Sequence, residues 1–366
     1  MEKTAEFTSR ERASRERGLR VVAIGGGTGL STLLKGLKRF VLSPAEIALA
    51  QADVPVIRDL CAVVTVSDDG GSSGRLRKEL NMLPPGDIRN CIVALSEDEA
   101  LLSQLFRHRF DKGSGLEGHS FGNLFLAALT SITHDFSEAV RLSSEILLTR
   151  GHIHPATTSN IELEALMEDG TRVRGETKIT ASKGRIQELF LVPADVEPIP
   201  QTLEAIARAD VISIGPGSLF TSLIPNLLVR GIAEAIVNSP ATKVYICNLM
   251  TQANESLGLT AADHIRALNR HAGKQIFDYA LINRSPVSVE LKAKYALEGG
   301  SQIAADLDAI EALGVVPVLG DYLEEGSVAR HNTARVAADV LQLAAQSPVA
   351  RPKTEAKTKA RSADQV

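Results

Sequence analysis

The densest chemistry in this sequence lies between Ser67 and Arg75, which reads SDDGGSSGR. Asp68 and Asp69 offer oxygen to a hard cation, to ribose or sugar hydroxyls, or to general-base work. Gly70, Gly71 and Gly74 leave backbone N–H groups uncovered, Ser72 and Ser73 add hydroxyls, and Arg75 and Arg77 suit a phosphate. The competing reading is a surface turn, with aspartate capping the next helix and the arginines solvated.

A second candidate is GGGTGLSTLLKGL, where Gly25, Gly26, Gly27, Thr28, Gly29 and Leu30 leave an apolar run and open a helical one. Backbone N–H groups and the helix dipole at such a place receive an anion. The dinucleotide fingerprint is not met, because Leu30 stands where its last glycine would. No GK[ST] follows, so this is no Walker loop either. The same grammar returns at DVISIGPGSLF, with Gly215, Pro216, Gly217 and Ser218. Two glycine turns at strand ends in one parallel sheet would face the same ligand edge.

Smaller signals accompany these. In PPGDIRNC, Asp87, Arg89 and Asn90 sit at a helix start. Gly118 to Gly122 match the G-x-S-x-G elbow of hydrolases, but the preceding RFDKGSGLE is polar and no strand feeds it. His119 and Asn123 are therefore read as ligand contacts or buried polar groups beside the helix from Phe121. His152 and His154 have strand spacing and no further ligand cluster nearby, a structural pattern. In ARHNTARVAADVL, Arg330 is placed to reach a phosphate and Thr333 to cap the helix that follows.

These residues need elements to position them. Apolar, β-branched runs at 20–25, 61–66, 210–215, 243–248 and 277–283 suit strands covered on both faces. Helical patterns intervene at Leu30–Phe40, Asp98–Arg109, Phe121–Ile132, Ser137–Leu148, Gln201–Arg208, Thr260–His271 and Ala334–Ala345. The alternation predicts an α/β fold with a doubly wound, mostly parallel sheet. Residues 158–193 depart from it: Asp169-Gly170 between extended runs marks an antiparallel β insertion, either an extension of the sheet edge or a flap over a site. Residues 1–18 and 347–366 are charged or Pro-, Lys- and Ala-rich, and read as a disordered leader and tail around a single domain, 19–346.

Bulk composition narrows the function. The 366 residues are 44% hydrophobic and carry a net charge of -4, so no basic field draws in nucleic acid. Trp is absent and aromatics make up 4%, which weakens base-stacking platforms. Cys61, Cys91 and Cys247 are scattered, which argues against a disulfide framework or a zinc site. No secretory h-region or membrane-length apolar run occurs, so a cytosolic protein with no membrane insertion is expected.

Taken in order, VVAIGGGTGLSTLLKGLK, VTVSDDGGSSGRLR, PPGDIRNC, GHSFGNL, SIGPGSLFTSLIPNLLV, NLMTQANES and RHNT resemble the gluconeogenesis factor family, often labelled YvcK, from about Arg20 to Leu343. That family is the bacterial branch of a superfamily shared with 2-phospho-L-lactate transferase. The resemblance implies a Rossmann-like three-layer core and a UDP-sugar ligand, chiefly UDP-N-acetylglucosamine. It also implies a role linking carbon flow, cell-wall precursor synthesis and cell shape. Under it Gly25–Gly29 and Gly215–Ser218 surround the nucleotide phosphates, Asp68 and Asp69 lie beside them, and Arg330 belongs to the nucleotide site. Thr333 becomes a regulatory phosphorylation position for a Ser/Thr kinase. Expected partners are an enzyme of amino-sugar synthesis and a second copy of the chain. The expectation is a binding regulator that requires no cofactor. The alternative is a Mg²⁺-dependent phosphate-ester transferase, with Asp68 or Asp69 holding the metal. One departure is visible: the family pattern TQPGET is TQANES here, Thr251 to Ser256, and losing Pro-Gly is expected to change that turn.

Overall fold

The computed structural model describes residues 17–49, 55–97, 101–182 and 184–346. The leader and tail lie outside these, apart from Arg17, Gly18 and nothing of the tail. Seven strands form one sheet: β1 (Leu19–Gly25), β2 (Ile57–Val64) and β3 (His152–Pro155), then β7 (Val211–Ile214), β8 (Thr242–Ile246), β9 (Tyr279–Asn283) and β10 (Val316–Gly320). Between them, β4 (Glu162–Met167), β5 (Arg172–Arg174) and β6 (Ile186–Val192) build a second sheet, and β11 (Leu323–Glu325) pairs with β12 (Ala329–His331).

The large sheet has the order β10-β9-β8-β7-β1-β2-β3, and every pairing in it is parallel. Its central strands are apolar on both faces because helices cover both. VISI of β7 is wholly buried, and Val22, Ile24, Val63 and Val244 extend the same core. Helix Gly27–Lys38 follows β1 and packs between helices Gly86–Leu95 and Thr333–Gln346. That packing is close: a Cβ on Gly36 would lie 2.3 Å from the Thr333 carbonyl oxygen. This is the doubly wound α/β architecture that the strand and helix periods predict.

Three local expectations change. The insertion is no extension of the large sheet; it has its own order, β5-β4-β6, with the hairpin turning at Asp169-Gly170 as expected. The run read as extended after Arg174 is helix Glu176–Ala181, because Gly175 (φ +102°) ends the strand. Thr333 does not cap its helix. Asn332 does, its Oδ1 accepting the Arg335 N–H at 3.0 Å, which places the cap one residue earlier. No single described helix is long and apolar enough to cross a membrane.

Candidate functional site

The chain runs from β1 outward to β2 and β3, then returns to β7 on the other side of β1. Strand order therefore reverses between β1 and β7, the place in an open parallel sheet where a crevice forms beyond the strand ends. The two glycine turns follow these two strands. A cleft of about 610 Å³ opens there, within the range of small-molecule sites.

The turns are in direct contact. A Cβ on Gly29 would lie 2.2 Å from the Pro216 carbonyl oxygen, and one on Gly26 would meet Thr65 Cγ2 at 2.5 Å and Asp87 Oδ2 at 2.9 Å. Their electrostatics differ. The helix from Gly27 has a glycine at its N-cap and no acid in its first turn; Asp87 accepts the Gly27 N–H, and Thr28 and Gly29 line the cleft beyond it. At the second turn the Gly217 N–H donates to Asn248 Oδ1, and Asn248 Nδ2 returns a bond to the Gly217 carbonyl. Behind it the Phe220 and Thr221 N–H groups donate to Glu255 Oε1 at 2.7 and 2.9 Å. Glu255 thus takes two N–H groups at the second helix start, whereas at the first Asp87 takes the Gly27 N–H and the next residues, Thr28 and Gly29, line the cleft.

Acids complete the near wall. Asp68, Asp87 and Glu176 all line the cleft. Burial raises Asp87 to about 6, opposed by the Gly27 N–H that it accepts and added to by the Asp68 charge. Burial, then the charges of Asp68, Asp87 and Asp69, raise Glu176 to about 9. At neutral pH Glu176 is therefore protonated, which moderates the negative field. On the far wall are Arg330 and His331 of β12, Tyr295 and Gln252. His331 Nε2 lies 3.0 Å from the Cys247 carbonyl, and burial lowers its pKa to about 4, so the ring is neutral.

The site residues expected from sequence divide into three groups. Gly26, Gly27, Thr28, Gly29, Asp68, Asp87, Pro216, Gly217, Ser218 and Arg330 line the cleft. Gly25, Leu30 and Gly215 are buried supports behind the turns. The remainder serve the wall's framework. Ser72 Oγ lies 3.0 Å from His119 Nδ1 and accepts from Asn123 Nδ2, and all three are buried. Ser73 abuts Gly86, where a Cβ would come within 2.4 Å of its Oγ. Arg75 donates to the Glu117 carbonyl, Arg77 to that of Ile161, and Arg89 to Ser120 Oγ and Asn90 Oδ1. Ser120 itself caps the helix at Phe121, accepting the Asn123 N–H, so it is no nucleophile elbow. Thr333 lies outside the cleft lining, against Gly36.

The paired aspartates are also split. Asp69 Oδ1 accepts from the N–H and hydroxyl of Thr177 on the insertion helix, which leaves Asp68 alone to face the cleft. Among the described residues no group of three or more His, Cys, Asp or Glu side chains is placed to hold a metal ion. These residues form no preassembled metal cage; a Mg²⁺ carried by substrate phosphates would meet Asp68 on the cleft wall.

Several lining residues were not singled out from sequence. Asn248 ends β8 in the same way that the turns end β1 and β7, a signal the strand grammar contained. Glu176 and Thr180 come from the insertion, which is thereby a flap that reaches the cleft. In the TQANES turn Asn254, which stands at the glycine of the family pattern, has φ +60°, the left-handed region that asparagine tolerates. Its Nδ2 also donates to the Thr180 carbonyl, which ties this loop to the flap.

Residues 21–323 match the family model described as 2-phospho-L-lactate transferase CofD. The chain is 51% identical over 324 residues to the gluconeogenesis factor of Halalkalibacterium halodurans, covering 88% of this chain and 95% of that one. It is 46% identical to the gluconeogenesis factor of Bacillus subtilis, covering 88% and 98%. A crystal structure of a UPF0052 family member from Bacillus halodurans superposes with a TM-score of 0.82 at 50% identity, over 88% of this chain and 99% of that one. The contiguous glycine turns, the reversal between β1 and β7 and these likenesses agree: the chain belongs to the CofD family and is similar over most of its length to proteins named gluconeogenesis factor.

Proposed function

We propose that the cleft binds a uridine-diphosphate sugar, chiefly UDP-N-acetylglucosamine, and that the protein is a cytosolic regulator which couples carbon supply to cell-wall precursor synthesis. The observation that carries this reading is the N-terminus of helix Gly27–Lys38 at the strand-order reversal, where Thr28 and Gly29 line the cleft and Gly29 packs against Pro216. Arg330 and Tyr295 line the same cleft, and they supply a cation for the diphosphate and an aromatic ring for a base. Asp68 and the protonated Glu176 supply an acceptor and a donor for sugar or ribose hydroxyls. In the transferase alternative Asp68 is the carboxylate of the two left facing the cleft, because Asp69 is held by Thr177.

The test is calorimetric titration with a panel of nucleotide sugars, with and without Mg²⁺, followed by analysis of the ligand for turnover. Heat from uridine ligands without turnover is the expected result. No heat with any of them removes the ligand assignment. Mg²⁺-dependent turnover replaces the regulator with a transferase.

A further inference from the structure

The far wall of the cleft holds one side chain whose hydrogen-bonding character is fixed by its surroundings. His331 of β12 lines the cleft, and its Nε2 lies 3.0 Å from the Cys247 carbonyl oxygen. A carbonyl only accepts, so Nε2 carries the proton. Burial keeps the ring neutral at pH 7, so Nδ1 retains a bare lone pair. Among the described residues Nδ1 has no hydrogen-bond partner, and unlike both ring nitrogens of His264 it is not shut off from solvent. The cleft is thus offered a neutral acceptor, and at neutral pH that nitrogen cannot become a donor without giving up the bond to Cys247.

An aromatic ring is tied to the same strand. Tyr295 lines the cleft, and its hydroxyl accepts the Ala329 N–H at 3.2 Å. Ala329 and His331 are alternate residues of β12 and so project to one face of it. Tyr295 and Ala329 pack on Leu249, Met250 and Leu291 in a small apolar core apart from the main one, which fixes the tyrosine against this strand. The carboxyls of Asp68 and Glu176 belong to the opposite wall. A ring face with a neutral acceptor on one strand suits a flat nucleobase with a polar edge better than it suits a phosphate.

We infer that His331 reads the base of the ligand: its Nδ1 accepts the ring N–H of an imide edge, N3–H in uracil, with Tyr295 against the face of the base. This rests on the reading of the cleft as a nucleotide site. Uracil and guanine carry a proton on that ring nitrogen. Cytosine and adenine carry a lone pair there, which meets the lone pair of Nδ1 and leaves both without a partner.

The test is calorimetry on the full chain with UDP, CDP and the diphosphate of 3-methyluridine, and with GDP and ADP. UDP is expected to bind about tenfold or more tightly than CDP or the methylated probe, the worth of one hydrogen bond whose loss leaves a group unpaired. This comparison on the wild type needs no variant. His331→Gln retains an amide N–H for the Cys247 carbonyl and puts a methylene where Nδ1 stood, and an unchanged melting temperature verifies its fold. In that variant UDP is expected to lose about tenfold in affinity and to bind no better than the methylated probe. Equal affinity of the wild type for UDP and the methylated probe, or discrimination that survives in His331→Gln, would overturn the inference and leave the uridine reading standing. If UDP gives no heat while GDP binds and ADP does not, the uridine reading fails and this one stands. No heat from either UDP or GDP overturns both.

Discussion

Gly29 sits against Pro216 so closely that a single added carbon would lie 2.2 Å from the proline's carbonyl oxygen. The obstacle is backbone, so nothing can swing aside, and the turns after β1 and β7 must part for any side chain at position 29. We expect Gly29→Ala to cost about 2–4 kcal/mol of unfolding free energy, as overpacking and strain against main chain do. It should also abolish uridine-ligand binding. Gly71→Ala is the control, since that position has φ +48° and open space; it should cost about 1 kcal/mol. Equal losses in the two variants, measured by denaturant titration, would show that the contact does not hold the turns together.

Arg330 reaches the cleft from β12, opposite the helix that starts at Gly27. Removing its guanidinium should weaken uridine-diphosphate binding by about 1.5–3 kcal/mol, the range for a hydrogen bond to a charged group. Stability should not move, because the residue lies on an exposed edge. Calorimetry on Arg330→Ala decides this, and unchanged affinity takes Arg330 out of the site.

The layout of this cleft was largely legible in the amino-acid order, for a physical reason. Strand ends are marked by local composition, and a parallel sheet sends all of those ends to one edge, so Gly25–Gly29, Asp68 and Gly215–Ser218 had to converge. Local pattern does not say which way a side chain turns after the strand ends. Ser72, His119, Asn123 and Arg89 have the right chemistry in the right loops, yet the first three bond to one another and Arg89 bonds to Ser120 Oγ and Asn90 Oδ1. Residues delivered by tertiary folding alone carry no local mark. Glu176 comes from the flap, and Glu255 stands in a loop whose partners are some 35 positions away. The edge strand β3 was readable only as a histidine spacing, because four residues are too few for a period.

The carboxyl of Glu176 is held at about 9, against an ordinary value of 4.5. The folded chain thus keeps a proton that the unfolded chain has already lost, and stability falls as pH rises from about 4.5 toward about 9. Asp87, raised to about 6, adds to the same slope at its lower end. Glu176→Gln removes the titrating group but keeps the shape and a donor. At about pH 9 the variant should be more stable than the parent by about 1–2 kcal/mol, a figure reduced for partial solvent screening; at about pH 4.5 the two should match. Parallel melting curves across this range test the claim. A wild-type advantage at high pH would mean that Glu176 is ionised and favourably bound in the fold.

Two residues tie the flap helix Glu176–Ala181 over the cleft: Asp69 accepts the Thr177 N–H and hydroxyl, and Asn254 Nδ2 donates to the Thr180 carbonyl. Both are peripheral to the main core, so loosening them should act locally. Asp69→Ala removes a carboxyl that satisfies the start of the helix, worth about 1 kcal/mol. Asn254→Gly is a cleaner probe. Glycine accepts φ +60° without strain, so the turn survives, global stability should stay within about 0.5 kcal/mol, and only the tie to Thr180 is lost. Amide hydrogen exchange across the flap helix should quicken several-fold in each variant and more in the double one, while β1 and β7 keep their protection. Exchange that is unaltered in the double variant would show that the flap is held by the apolar contact of Ile179 with the core instead.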